Sequence, residues 1–148
     1  MNIEPLDKIA EARIAEAFCY NLDLVAIENR MKELKTIEIE PEHIFAGGVY
    51  IRQIKIPKGT LIVGKRHRNA TCNILMSGEM VLYVGNGEPP VKLRGPFLFE
   101  SGKHVKKLFY CTEESVFMTV HPSEPAAVED LEDRFIIPEE DFLKGTEQ

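Results

Sequence analysis

Apolar and polar positions alternate with a strand's period of two through the middle of this 148-residue chain, between a helical pattern before it and an acidic stretch after it. Residues 49–56 are rich in β-branched and aromatic side chains and stop at Pro57-Lys58-Gly59, a turn signal. From there the pattern predicts strands over 61–63, 73–76, 80–84, 91–93, 97–99, 107–111 and 116–120. Turn residues separate them at Ser77-Gly78, 85–90, Gly95-Pro96, Ser101-Gly102 and 112–114. Short strands at this even spacing predict an antiparallel all-β barrel or sandwich. Upstream, Ile9, Ala10, Ile14, Ala17 and Phe18 fall at helical spacing within an Ala-rich segment, predicting a helix over 6–20. Leu24, Ile27, Met31 and Leu34 repeat at threes and fours, a second amphipathic helix or a continuation of the first. Ile37 and Ile39 alternate with acids as a short strand that Pro41 breaks, and 45–48 reads as a flexible bend. Residues 129–135 read as a short helix, Phe135-Ile136-Ile137-Pro138 can pack back on the barrel, and the last residues are expected to fray.

The organisation expected is one mainly β domain. It comprises an N-terminal helical arm (1–43), a barrel (44–123) and an acidic C-terminal tail (124–148). Apolar residues at 44% and charged residues at 28% describe a folded globular protein. No apolar run approaches the roughly 20 residues of a membrane helix. Met1 to Ala10 is acidic and polar rather than signal-like, so the expected compartment is the cytoplasm.

The net charge of -6 is unevenly spread, with an excess of acids in both arms and of bases in the barrel. Two explanations fit: the acidic arms complement the barrel by packing over it, or the barrel attracts an anion. Nucleic acid is disfavoured as that anion by the acidic arms and by the lack of an aromatic and basic alternation. Cys19, Cys72 and Cys111 are far apart and odd in number, which argues for buried thiols rather than a disulfide framework or a zinc knuckle. Cys72 lies near His67 in sequence but alternates away from the face of Thr71 and Asn73, which argues against a nucleophile and base pair.

The segment from Gly59 to Gly78 has the spacing Gly, five residues, x-x-His, three residues, Thr, six residues, Gly. It resembles the first motif of the cupin superfamily, in which two His and one Glu hold a divalent metal inside a small antiparallel barrel. At those ligand positions this chain has Lys65, His67 and Thr71. A second motif is matched by the segment starting at Gly95-Pro96-Phe97, where the family's His falls on Val105, Lys106 or Lys107 according to register. Two further segments, 49–60 and 115–124, look like the first and last barrel strands of stand-alone cupins of bacteriophage and prophage genomes. The resemblance covers roughly 45–135 and implies a single-domain cupin jelly roll, a homodimer, and a phage-type accessory protein.

The family's metal ligands are largely replaced by cationic groups, which keep positive charge in the pocket without metal chemistry. The function expected is therefore non-catalytic binding of a small anionic molecule without a cofactor. The candidate ligand-binding residues are His67, Lys65, Thr71, Asn73, Lys107 and Tyr50. Two alternatives stand beside it. The resemblance implies a metal-dependent oxygenase or isomerase that would hold iron, manganese, nickel or zinc with His67, His121 and His104, since such ions take imidazole and carboxylate ligands. A protein-interaction module with a barrel plugged by Phe97, Phe99 or Met118 is the other. Metal-free acid–base work by His67 with Tyr50 or Tyr110 lacks a paired His and Asp.

Overall fold

A computed structural model describes residues 2–3, 23–34, 36–84, 89–122 and 128–144. Its strands are β1 (Asn2–Ile3), β2 (Glu42–Ala46), β3 (Val49–Ile56), β4 (Thr60–Val63), β5 (Thr71–Ser77), β6 (Glu79–Tyr83), β7 (Val91–Arg94), β8 (Phe97–Ser101), β9 (Leu108–Cys111) and β10 (Ser115–Pro122). They form two five-stranded sheets, in the orders β1-β4-β9-β6-β7 and β2-β3-β10-β5-β8. Every pairing is antiparallel. From β3 to β6 and again from β7 to β10 each successive strand joins the opposite sheet, which is the jelly-roll way of closing two sheets over one core.

Alternation decides what enters that core. Along β3, Tyr50, Ile54 and Ile56 are buried, while Val49 and Lys55 are exposed. Ile54, Ile56, Leu75, Met80, Phe109 and Phe117 fill the space between the sheets, and Cys111 is a free, fully buried thiol among them. Cys72 is free and half-buried, and Cys19 lies outside the described residues. Toward the other end of the barrel the inward positions turn polar, with Thr71, Asn73, Ser101 and Thr119 all buried.

The strand expected at Ile37 and Ile39 is not formed; the strand is β2, five residues later. Ala46 pairs with Val49 across a two-residue Gly47-Gly48 loop with φ of 54° and 82°, so the hairpin fixes the register and runs back until Pro41 ends it. Ile39 packs against the barrel core instead. The expected bend at 45–48 is thus the end of β2 and its tight turn.

Helix α1 (Leu24–Met31) starts at Asp23, whose Oδ1 accepts from the amides of Val25 (3.0 Å) and Ala26 (3.1 Å). Its Leu24 packs with Tyr83, Leu108, Leu61 and Val63 on the outer face of the first sheet. Leu34 lies beyond the helix end and is exposed. The helix expected over 6–20 and the turn at 85–88 lie outside the described residues.

At the other end of the chain, a 3-10 turn (Val128–Asp130) leads to α2 (Leu131–Phe135) and then α3 (Glu139–Lys144). The segment between these helices returns to the barrel as the sequence predicts. Phe135 O accepts from the Arg68 amide (2.9 Å), and the Ile137 amide donates to Arg66 O (3.0 Å). Among the described residues no helix is long and apolar enough to cross a membrane.

Candidate functional site

The polar end of the barrel is built by β3, β5, β8 and β10 of one sheet and closed by α2. Adjacent strand positions place Tyr50 beside His121, Arg52 beside Thr119, and Thr119 beside Asn73. Thr71 faces Ser101 across the β5–β8 pair. Lys107 enters from the segment just before β9, where its backbone carbonyl accepts from the Gly64 amide (2.8 Å). His67 sits in the β4–β5 loop and is held from both sides, by a bridge to Ile136 and by the His104 amide donating to its carbonyl (2.9 Å). Its ring meets His121 edge-on at 5.1 Å between centroids. Phe135 lies over both His121 (4.6 Å) and Tyr50 (5.3 Å), capping this end with an aromatic lid. The Tyr50 hydroxyl and His43 Nδ1 are 2.8 Å apart.

Inside, three polar side chains form one network. Ser101 Oγ accepts from Asn73 Nδ2 (2.8 Å) and from Lys107 Nζ (2.9 Å). Asn73 Nδ2 also lies 3.3 Å from Phe99 O and 3.4 Å from Thr71 O, and two carbonyls beside one atom fix it as the amide nitrogen. Asn73 Oδ1 and Thr71 Oγ1 are buried and have no partner among the described residues. A cavity of about 560 Å³ opens beside the first turn of α1 and reaches Ser101 and Lys107 along an apolar wall of Leu82, Val84, Phe99 and Val105. That volume is within the usual range for a small-molecule site.

The site is electropositive. Burial, and then the fields of Lys107, His121 and Arg52, push the His67 pKa down to about 3. His121 falls to about 4 through burial, Arg52 and Lys107, so both imidazoles are neutral near pH 7. Burial lowers Lys107 to about 8, leaving it mostly protonated at that pH, and it lowers Arg52 as well. Among the described residues no carboxylate forms an ion pair with Arg52 or Lys107.

The neighbouring cations differ in just this respect. Lys106, next in sequence and only 4% exposed, turns the other way to Glu28 Oε2 (2.7 Å) on α1 and Glu139 Oε1 (3.0 Å) on α3. Arg66 donates to the same Glu139 oxygen (2.9 Å) and stacks over Phe142 at 4.0 Å. Acids of the arms therefore pair with Arg66 and Lys106, while Arg52 and Lys107 have no carboxylate partner among the described residues.

No protein-family model matches the sequence, and no curated protein matches it either. Solved structures do match its fold. KdgF from Halomonas sp. superposes with a TM-score of 0.52 at 14% identity, over 66% of this chain and 90% of that one. A cupin superfamily protein from Desulfitobacterium hafniense DCB-2 gives 0.50 at 10% identity, over 62% and 83% of the two chains. This is a cupin fold. A Neisseria meningitidis protein shares it at 0.50 and 14% identity, over 69% of this chain and 98% of that one.

In this cupin barrel, the residues predicted from the sequence divide in two. His67, His121, Tyr50, Thr71, Asn73 and Lys107 come together at the polar end. Lys65 does not: its side chain is 60% exposed and pairs with Glu132 (3.6 Å). Residues 64–70 form a loop rather than a strand, so strand alternation does not put Lys65 on the side of His67. His104 is also elsewhere. It takes a left-handed backbone (φ 64°), and its ring stands edge-on to Phe142 at 5.7 Å.

Arg52 was missed by sequence reasoning, although it keeps phase with Tyr50, Ile54 and Ile56 on β3 and a charge on the buried phase of a strand is a usable signal. The barrel end does not fit the divalent metal that the sequence resemblance implies. Two imidazoles without a carboxylate or thiolate, flanked by an ammonium and a guanidinium, are a poor cation site, and no cluster of three or more His, Cys, Asp or Glu is found among the described residues.

Proposed function

We propose that this protein binds a small organic anion in the polar end of the cupin barrel, without catalysis and without a resident metal. One observation carries the reading: Arg52 and Lys107 are held at the polar end of the barrel with no carboxylate partner among the described residues, whereas Lys106 and Arg66 are paired by Glu28 and Glu139 from the arms. Unpaired buried charge is costly, so a fold that maintains it is suited to a counter-charge arriving from solution. The neutral His67 and His121 add N–H donors, and the cavity of about 560 Å³ reaches Lys107 and Ser101. A stand-alone binding role of this kind suits the phage-type accessory cupins that the sequence resembles.

Calorimetric titration of the full chain with succinate and propionate tests it. Binding of at least one of these is expected, with affinity falling tenfold or more in Arg52→Met, which keeps the aliphatic stem and removes the charge. Absence of binding by the whole panel, or unchanged affinity in Arg52→Met, overturns the proposal.

A further inference from the structure

Lys107 is an amine without a counter-charge at the edge of a cavity. It lines the space of about 560 Å³ together with Ser101, and its Nζ donates to Ser101 Oγ at 2.9 Å. Asn73 Nδ2 donates to the same oxygen at 2.8 Å, so the hydroxyl is fixed and fixes the amine with it. Lys106, equally buried, lies instead 2.7 Å from Glu28 Oε2 and 3.0 Å from Glu139 Oε1, two carboxylates that favour its charged form. No carboxylate pairs with Lys107 among the described residues, and a hydroxyl does not hold the proton on an amine as a carboxylate does. Burial lowers the Lys107 pKa from 10.5 to about 8. At pH 7 about a tenth of it is then free amine, against about 0.03% for a lysine left at 10.5.

The rest of the cavity suits an organic electrophile. Leu82, Val84, Phe99 and Val105 supply apolar wall, and the volume has room for a molecule of several carbon atoms. Other polar groups on the lining are already engaged: Arg66 and Lys106 by Glu139, and Asp23 by the first amides of α1. A desolvated amine beside apolar surface is the setting in which lysine acts as a nucleophile toward carbonyl carbon.

We infer that Lys107 captures a small aliphatic aldehyde in this cavity as a reversible imine. The Nζ lone pair adds to the carbonyl carbon, and the carbonyl π pair moves to oxygen. That oxygen takes one N–H proton, giving a carbinolamine, with Ser101 Oγ placed to relay it. The nitrogen lone pair then expels the oxygen as water, which carries off the second N–H proton and leaves C=N. Amine and aldehyde are the only reactants, and water is the only other product. An aldehyde has one carbon substituent where a ketone has two, which matches an amine with only 4% of its residue exposed. The free amine does this, whereas the anion binding proposed above uses the ammonium, so the two stand or fall separately.

Treating the full chain at pH 7 with butanal and cyanoborohydride tests the capture, because reduction turns the imine into a stable secondary amine. Peptide mass spectrometry at early times measures each lysine, with fragmentation separating Lys106 from Lys107. Lys107 is expected to be alkylated at least tenfold faster than the exposed Lys55 and Lys92. The excess is expected to vanish when the chain is unfolded in guanidinium, where every lysine is equally hydrated. Alkylation of Lys107 no faster than Lys55 and Lys92 in the folded protein overturns the inference. Fast alkylation at Lys106 in its place, or an excess at Lys107 that survives unfolding, overturns it as well. None of these results alters the affinity for succinate or propionate, by which anion binding is judged.

Discussion

Replacing Lys107 with Met is expected to make the ligand-free protein more stable and unable to hold its anion. Lys107 is 4% exposed, and burial lowers its pKa from 10.5 to about 8. That fall corresponds to about 3 kcal/mol of penalty for carrying the charge in the folded state. The folded pKa lies below the unfolded one, so between about pH 8 and 10.5 the unfolded chain binds more protons and stability rises with pH. Below pH 8 the penalty is present in full. Methionine keeps the aliphatic packing and loses the charge, along with one charge-assisted hydrogen bond to Ser101 worth about 1.5–3 kcal/mol. Since that bond already contributes to the observed pKa, the net gain expected at pH 7 is about 1–3 kcal/mol, or roughly 2–12 °C in melting temperature for a domain of this size. Urea denaturation at pH 7, 9 and 10.5 provides the assay, with the gap between the two proteins closing as pH rises. A Lys107→Met protein less stable than the parent at pH 7, or a gap independent of pH, refutes the idea that an unpaired buried ammonium is being held at a cost.

Acid is expected to act through the two imidazoles. His121, 3% exposed, has a folded pKa of about 4 against 6.5 unfolded, so stability is complete above pH 6.5 and falls by about 3 kcal/mol as pH drops toward 4. His67 extends the loss toward pH 3. Denaturation midpoints at pH 7, 5 and 4 measure this, and a flat profile in the unmodified protein, or one that His121→Gln leaves as steep, contradicts it. Phe135→Ala removes the aromatic lid over Tyr50 and His121 and is expected to cost about 3–5 kcal/mol. It should also raise the His121 pKa toward 6.5 in an NMR titration, and an unmoved pKa would show that the lid does not keep this imidazole dry.

The barrel was legible because its strands obey period two and because Gly and Pro punctuate them. Residues 49–56 needed nothing beyond their own pattern to be read as a strand. The failures occur where partners rather than composition decide. Strand β2 is almost entirely exposed, so it carries no apolar alternation to detect and exists because the Gly47-Gly48 hairpin lays it on β3. Helix α3 has no buried residue and was not foreseen; Glu139 anchors it to Arg66 and Lys106, and Phe142 lies under the Arg66 guanidinium. These contacts join residues more than 30 positions apart, beyond the reach of any local pattern.

The site was legible to the extent that its residues lie on strands. Thr71, Asn73, Tyr50 and His121 are placed by alternation, whereas the loop carrying Lys65 turns that side chain to solvent and the left-handed turn at His104 sets its ring against Phe142 instead. Net charge by segment proved to mix two populations. The basic excess of the barrel includes Lys65, Arg66 and Lys106, which the acids of the arms neutralise, and also Arg52 and Lys107, which they do not. The first explanation of the asymmetry thus describes Lys65, Arg66 and Lys106, and the anion-binding reading proposed above concerns Arg52 and Lys107. The division also bears on chemistry. Imidazoles held near 3 and 4 hold no proton at neutral pH and are weak bases, far from the poise that acid–base catalysis needs. The depressed values follow first from burial and, for the imidazoles, then from the neighbouring positive charge, and an anion bound beside these groups would raise them.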